Sequence, residues 1–190
     1  MSASRFMLSA LVAASALTST LALAQQKLVP AQSEINFAIK QMGVSVDGRF
    51  KKFDAQIAFD PAKLATSSIA FTVDVVSATM GSPESDSELP KANWFNTAKF
   101  PQATFQSSSI KALGGGKFEV NGKLSIKGAS RDVTVPVAMT QAGANTTATG
   151  AFALKRLAFK IGENEWADTS MVADDVQVKF KLALTGVGKL

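Results

Sequence analysis

From Ser33 to Thr185 the sequence repeatedly alternates apolar with polar residues, and this alternation constrains the fold more than any other feature. It is clearest in residues 117–127, where every second residue is apolar or Gly and each residue between is polar or charged. A period of two indicates a β-strand with one buried and one solvated face. The pattern recurs about eight times between turn residues, which predicts an all-β fold with a single closed or nearly closed antiparallel barrel.

The alternation changes phase once within a single predicted strand. Val44 and Phe50 fall on even positions, whereas Phe53 continues the apolar series on odd positions. One extra residue near Lys51-Lys52 predicts a β-bulge, which helps a long strand bend around a barrel. In a later strand Pro136 falls on the polar face, which predicts an edge or a bulge there.

The alternation disappears between Ser82 and Phe100. Ser82 or Ser85 is suited to cap a short helix, because acidic residues follow in its first turns. Trp94 and Phe95 come next, and we expect this helical and loop segment to form a lid over one barrel mouth. The two aromatic residues either plug the barrel end or gate a ligand, and we favour the plug.

The first 24 residues are typical of a signal peptide. Arg5 precedes an apolar stretch from Phe6 to Leu23, and Ala22-Leu23-Ala24 supplies the small residues that signal peptidase recognises. The sequence therefore predicts export with cleavage after Ala24, and one mature domain over residues 25–190.

The residue types in the chain exclude most catalytic and metal chemistry. The sequence holds no Cys, no His and no Tyr, so it lacks the cysteine nucleophile, the usual general base and the commonest metal ligand. Nucleotide-binding glycine motifs are absent as well. The net charge is +5. No basic run is interleaved with exposed aromatic residues, which argues against nucleic-acid binding. A weak attraction to anionic membrane surfaces remains open. We therefore expect no catalytic residue, no metal site and no cofactor.

Acidic residues near the C-terminal end are the one catalytic alternative. Glu163, Glu165 and Asp168 share a loop, and Asp174-Asp175 open the last strand. Paired carboxylates serve glycosidases or bind calcium, but no supporting motif accompanies them. We expect a solvated loop and a strand start. The alternative is that Asp168 and Asp174 pair with Lys155 or Arg156 and close the barrel end.

The strand positions predicted to face the barrel interior are rich in large apolar residues, because most of the 13 Phe residues lie at these positions. Periodicity does not distinguish a filled barrel from a hollow one. If the barrel is hollow, its ligand would be a long apolar chain. The predicted lumen residues are Phe37, Ile39, Phe50, Ile57, Phe59, Phe71, Val73, Phe105, Leu124, Ile126, Phe152, Leu154, Val178 and Phe180, with Trp94, Phe95 and Trp166 at the mouth.

Several short motifs, in matching order and spacing, resemble those of the YceI-like proteins, and together they cover nearly the whole mature chain. Each motif alone is weak. They are Ser33 to Phe37, Gly48-Arg49-Phe50 with Phe53, Phe95 with Phe100-Pro101 and Phe105, Gly122 to Gly128, Lys155-Arg156 with Phe159 and Ile161-Gly162, Glu165 to Asp168, and Val172 to Val176.

The resemblance implies a lipocalin-like barrel in the bacterial periplasm that holds a polyisoprenoid or quinone-like lipid as its ligand, with no established catalysis. It also implies partners for some members, namely membrane cytochromes of the b561 type, and leaves a homodimer open. The sequence departs from the family at Leu157-Ala158, where a small polar residue and an acid are common before the aromatic residue. The His often found before the leucine of the lid is also missing, and Ser87-Glu88-Leu89 stand in its place. We therefore expect an apolar lumen with weakened recognition of a polar headgroup.

Three hypotheses remain open from the sequence. The leading one is a non-enzymatic periplasmic carrier or store for an isoprenoid lipid. The others are an enzyme that acts on an apolar substrate through the loop carboxylates near Trp166, and a filled barrel that binds a protein partner through its Lys-rich strand faces.

Overall fold

Antiparallel β-strands make up most of residues 26–190, the part of the chain that this computed structural model describes. The predicted signal peptide and its cleavage after Ala24 lie outside the described residues. The strands and the α-helix are β1 (Lys27–Leu28), β2 (Glu34–Gln41), β3 (Val44–Phe50), β4 (Phe53–Ala58), β5 (Ser68–Asp74), β6 (Ala78–Thr79), α1 (Pro83–Glu88), β7 (Gln102–Gly114), β8 (Lys117–Ile126), β9 (Ala129–Ala142), β10 (Asn145–Lys155) and β11 (Val172–Thr185).

The strands form one sheet that curls back on itself. Its order is β4-β5-β7-β8-β9-β10-β11-β2-β3-β6, and β1 pairs with β11. Only Lys51 and Lys52 separate β3, which pairs with β2, from β4, which pairs with β5. One bent segment therefore supplies β4, at one end of the sheet, and β3, next to the two-residue strand β6 at the other end. If β3 and β4 are taken as one strand and the two-residue strands β1 and β6 are set aside, eight strands surround the interior, which confirms the predicted lipocalin-like barrel.

The predicted irregularity at Lys51-Lys52 is the point where the chain changes its pairing partner. The backbone N–H groups of Lys51 and Lys52 donate to the Ser77 hydroxyl at 3.1 and 2.9 Å. The Asp74 N–H donates to the Lys52 carbonyl at 3.0 Å. These bonds satisfy both N–H groups and the Lys52 carbonyl at the bend, which stabilises the point where the strand leaves the ladder.

Pro136 lies where two strands separate. The pairing of β9 with β10 runs from Ala142 opposite Asn145 to Val137 opposite Gly150 and then stops. Pro136 is the next residue of β9, and it is still paired with β8 opposite Glu119. Since Pro has no N–H to donate, its position beside the end of a ladder is consistent with the expected edge.

A short helix and a series of turns cover one end of the barrel. Ser82 caps α1 by accepting a hydrogen bond from the Ser85 N–H at 3.2 Å, and Pro83 occupies the first turn. Leu89, Trp94 and Phe95 follow α1 and are buried. This segment is the short lid that the loss of alternation predicted.

Buried apolar side chains form two clusters, one at each end of the barrel. The cluster at the lid end includes Leu89, Trp94, Phe95 and Phe159, and the cluster at the opposite end includes Phe59 and Phe118. Within residues 26–190, no helix is long and apolar enough to cross a membrane.

Candidate ligand-binding cavity

The inner faces of the strands enclose a cavity of about 630 Å³. Its wall is formed by Phe, Ile, Leu, Val and Met side chains along the length of the barrel. Polar residues join the wall at the lid end, where α1 and the neighbouring loops lie: Gln41, Glu84, Ser85, Ser87, Glu88 and Arg156. The barrel is therefore hollow, and its lumen offers an apolar chain a dry surface with a polar rim at one end.

The cavity wall contains every predicted lumen residue except Phe59. The members from that prediction are Phe37, Ile39, Phe50, Ile57, Phe71, Val73, Phe105, Leu124, Ile126, Phe152, Leu154, Val178 and Phe180. Whether these side chains contact a ligand remains a prediction.

Phe59 closes the barrel end opposite the lid. It is only 3% exposed, and its ring meets the ring of Phe118 edge-on, with centroids 5.2 Å apart. The Gln26 side chain fixes this position, because its amide oxygen accepts from the Phe59 N–H at 2.7 Å and its nitrogen donates to the Phe59 carbonyl. Phe59 therefore packs beneath the lumen, even though it shares the inward phase of β4.

The predicted mouth residues form part of the wall and also close the lid end. Trp94 and Phe95 are buried, and the Trp94 ring packs on the Trp166 ring with centroids 5.5 Å apart. The Phe95 ring meets the Phe50 ring edge-on at 6.1 Å. Within the described residues the Trp94 Nε1–H has no hydrogen-bond partner. Such close packing is typical of a plug. A ligand passes this end only when these aromatic side chains move aside.

The wall also contains residues that were not assigned to the lumen. Ile35, Val120, Val135 and Leu182 share the inward phase of the strands, so the alternation already carried the signal for them. Leu89 comes from the lid segment and Met80 from the turn between β6 and that segment, where no alternation exists to predict their direction.

Arg156 is part of the cavity wall, and no pattern in the sequence predicted that its side chain would be buried. Its side chain is 1% exposed, and all five of its N–H groups have carbonyl acceptors. Burial lowers the pKa of this guanidinium, and the charge of Asp174 opposes that effect. Arg156 thus ties the loop after β10 to the start of β11. The acceptors are the carbonyls of Ala173 (3.0 Å), Ile161 (2.9 Å), Gly162 (2.7 Å), Trp166 (2.7 Å) and Val172 (2.7 Å).

Neither of the acids expected to pair with Lys155 or Arg156 forms such an ion pair. Lys155 instead pairs with Asp175 at 2.8 Å. Asp174 accepts from the Leu157 N–H at 2.9 Å, and Arg156 donates to the carbonyls. The expected ion pairs were wrong because backbone groups, which carry no sequence signal, bind Arg156 and Asp174, and because the neighbouring Asp175 binds Lys155.

The remaining loop carboxylates also hold the loop together. Asp168 accepts from the Ser170 hydroxyl at 2.7 Å, and this bond, with that from the Ser170 N–H, lowers the pKa of Asp168. Glu165 accepts from Asn93 at 2.8 Å, and Glu163 pairs with the buried Lys127 at 3.0 Å. Among the described residues no group of three acidic side chains is placed to hold a metal ion.

Exposed apolar side chains flank the lid end of the cavity. Met42 and Val44, at the tip of the β2–β3 hairpin, are 73% and 66% exposed, and Met171 is 49% exposed. The Met42 N–H donates to the Met171 carbonyl at 2.8 Å, which places the two segments side by side. Gln41, the neighbour of Met42, is part of the cavity wall. We call Met42, Val44 and Met171 the apolar rim.

Comparison with known proteins identifies the family. The family model for the YceI-like domain matches residues 26–184, from before β1 to the penultimate residue of β11. The chain belongs to the YceI-like family.

Sequence relatives of this YceI-like chain are UPF0312 proteins. One from Shewanella baltica (strain OS185) is 30% identical over 167 residues, which cover 82% of this chain and 87% of that protein. Another, from Vibrio cholerae (strain ATCC 39541), is 33% identical over 114 residues, which cover 60% of each protein.

Solved structures share the YceI-like fold. BcnA from Burkholderia cenocepacia is 47% identical and superposes with a TM-score of 0.79, covering 82% of this chain and 98% of BcnA. A polyisoprenoid binding domain from Saccharophagus degradans is 15% identical, with a TM-score of 0.68 over 85% of this chain and 98% of that domain. The second likeness bears on the fold alone.

Proposed function

We propose that this YceI-like protein is a non-enzymatic carrier or store that holds a long isoprenoid chain in its lumen. The cavity carries this proposal, because it is elongated with the barrel, apolar along its wall and polar only near the lid. The fold neighbour from Saccharophagus degradans is a polyisoprenoid binding domain. The loop carboxylates support binding rather than catalysis, since backbone and side-chain partners occupy Glu163, Glu165 and Asp168.

Burial of the cargo would supply the affinity. An apolar chain that loses ~400 Å² of accessible surface gains ~10 kcal/mol at ~25 cal/mol per Å². Part of this gain is offset by the translational and conformational entropy that the chain loses on binding. Apolar burial is therefore the main favourable contribution to binding and needs no strong polar contact, which agrees with a wall that is polar only at one end.

We place the carrier in the periplasm, after cleavage behind Ala24. A quinone or another polyprenyl lipid suits the lumen, and such cargo resides in membranes, so we include transient contact with a membrane surface. A membrane cytochrome of the b561 type would be a suitable acceptor of a quinone cargo. A homodimer is compatible with the proposal and is not required by it.

Native mass spectrometry tests the proposal on the mature protein, purified from the periplasm without detergent. We expect residues 25–190 with a stoichiometric additional mass that organic extraction releases as a prenyl lipid. A mass equal to the bare chain, together with no rise in melting temperature when solanesol (an acyclic polyprenol) is added, would contradict the proposal.

A charge placed inside the lumen should abolish lipid retention. Phe71 lines the cavity in β5, and Phe71→Asp would bury an unpaired carboxylate beside the apolar cargo. We expect loss of the additional mass. The control is Gln106→Asp, which adds the same charge on the exposed face of the neighbouring strand. Retention in a folded Phe71→Asp protein would show that Phe71 does not face the cargo.

A further inference from the structure

Three Phe rings of the cavity wall lie across glycines of the neighbouring strands. A Cβ atom placed on any of these glycines would fall within 2.4 Å of a ring carbon, far inside van der Waals contact. Each ring thus occupies the space that a side chain would fill in another strand. The pairs are Phe37 over Gly48 (2.2 Å), Phe105 over Gly122 (2.4 Å) and Phe180 over Gly150 (2.3 Å).

The three pairs join β2 to β3, β7 to β8, and β10 to β11. The first and the last are neighbours in the wall, because β11 pairs directly with β2, and β9 separates both from the pair between β7 and β8. All three Phe residues belong to the cavity wall. A ring that lies against a glycine stays close to the wall, whereas a ring beside a bulkier residue must stand further into the lumen.

We propose that these Phe–Gly pairs set the bore of the lumen and select slender acyclic chains over fused-ring lipids. This inference rests on the proposed function, because it concerns which lipids the same cavity admits. The glycines act as positioning residues: they do not contact the cargo themselves, but they determine where the neighbouring rings lie. The Phe side chains are the surfaces that meet the cargo.

Gly48 offers the cleanest test of the proposal. The three atoms nearest to an added Cβ are all ring carbons of Phe37. At Gly122 and Gly150 a backbone carbonyl oxygen also lies at 2.5 Å, so a substitution there would disturb the sheet as well. Gly48 does not have a positive φ, so alanine fits its backbone. The Phe37 ring is therefore the first group that must move when Gly48 is replaced by alanine.

The first experiment measures the affinity of the mature protein for solanesol. In Gly48→Ala the Phe37 ring should move into the lumen and weaken solanesol binding by about tenfold or more. The double variant Gly48→Ala/Phe37→Leu should recover most of this loss, because leucine needs less room beside the new methyl group. Thermal unfolding without lipid shows separately whether each variant folds. Unchanged solanesol affinity in a folded Gly48→Ala protein would overturn the proposal.

The second experiment widens the bore. The wild-type protein should prefer solanesol to cholesterol, a fused-ring lipid, and Phe37→Ala should reduce this preference by about tenfold or more. An unchanged preference would overturn the proposal, even if Gly48→Ala does not fold. Failure of the wild-type protein to bind solanesol would instead contradict the proposed function, so the two failures are distinguishable.

Discussion

At the scale of single residues, the lid end depends on one buried cation. Five backbone carbonyls surround the Arg156 guanidinium, and they come from three separate stretches of chain between Ile161 and Ala173. Carbonyl oxygens carry only partial charge, so the five together replace the water that the guanidinium loses on burial. The Trp94 ring, 6.0 Å from the guanidinium carbon, adds a cation–π contact.

Substitution of Arg156 should therefore be strongly destabilising. Arg156→Ala leaves buried carbonyls without donors, and we expect the free energy of unfolding to fall by about 3 kcal/mol or more. Arg156→Lys retains the charge but offers three donors instead of five, so its loss should be smaller. Urea unfolding measures both values.

Arg131→Ala is the matched control, because Arg131 is exposed and donates only to the adjacent Ser130 carbonyl at 2.8 Å. Its effect should stay within about 0.5 kcal/mol. An Arg156→Ala protein as stable as this control would show that the carbonyl cage contributes little to the fold.

Residue-level prediction succeeded where a side chain's direction follows from strand period. Phe180 lies between Lys179 and Lys181, and Phe37 alternates with Ile35 and Ile39 on the same face, so the inward direction of both rings could be predicted without knowing the fold. Phe59 has the same phase but lies past the last residue of β4, where the chain leaves the wall. The burial of Arg156 could not be predicted, because its partners are backbone carbonyls that any sequence provides.

At the scale of elements, a carboxylate joins the lid helix to the barrel. Asp86 of α1 accepts from the Thr79 hydroxyl and from the Met80 N–H at 2.6 Å. Thr79 belongs to β6, which pairs with β3. Because Ser85 and Glu88 of the same helix line the cavity, this link holds the polar rim in place.

Acid should weaken this link. The Thr79 hydroxyl bond, followed by the Met80 N–H bond, lowers the pKa of Asp86 below its usual 3.8. A lowered folded-state pKa stabilises the attachment above the unfolded value, and that contribution disappears as pH falls through the folded value. We expect solanesol release to accelerate as the pH falls below about 4, as measured by transfer to excess acceptor vesicles.

Asp86→Asn should release solanesol faster at neutral pH and lose most of the acid step. Asp168→Asn is the comparison, since the pKa of Asp168 is also lowered but its Ser170 bonds lie outside the helix. If Asp168→Asn removes the acid step and Asp86→Asn preserves it, the link through α1 is not the acid-sensitive element.

The sequence located the bend between β3 and β4 but not its consequence. The phase change marked Lys51-Lys52, because an extra residue reverses which face each side chain occupies. After the bend the chain stops pairing with β2 and, as β4, pairs with β5. This change of partner depends on contacts between residues remote in sequence, such as Phe53 opposite Val73. A local pattern carries no information about such partners.

At the scale of the whole molecule, the two barrel ends differ. The lid end bears the apolar rim beside the polar part of the cavity wall, while Phe59 and Phe118 close the other end. An isoprenoid has little solubility in water, so cargo exchange through the lid end would be fastest with that end on a bilayer. The apolar rim would then enter the bilayer interface.

Removal of the apolar rim should slow cargo exchange without changing affinity. We expect Met42→Ser/Val44→Ser to reduce the rate of solanesol transfer to phosphatidylcholine vesicles severalfold, because less apolar surface enters the bilayer. Leu113→Ser is the control: Leu113 is 61% exposed but lies near the β7–β8 turn at the opposite end. Equal slowing by both substitutions would contradict an oriented contact.

The position of β11 has a consequence for how the molecule folds. This last strand pairs with β10, β2 and β1, and the Ala183 N–H donates to the Ser33 hydroxyl across 150 residues of chain. The first strands therefore have no partner on that side until the final residues are available. Contacts of such long range slow folding to milliseconds or seconds. Until β11 docks, the apolar inner faces stand open to solvent, and this interval is when the chain is most exposed to aggregation.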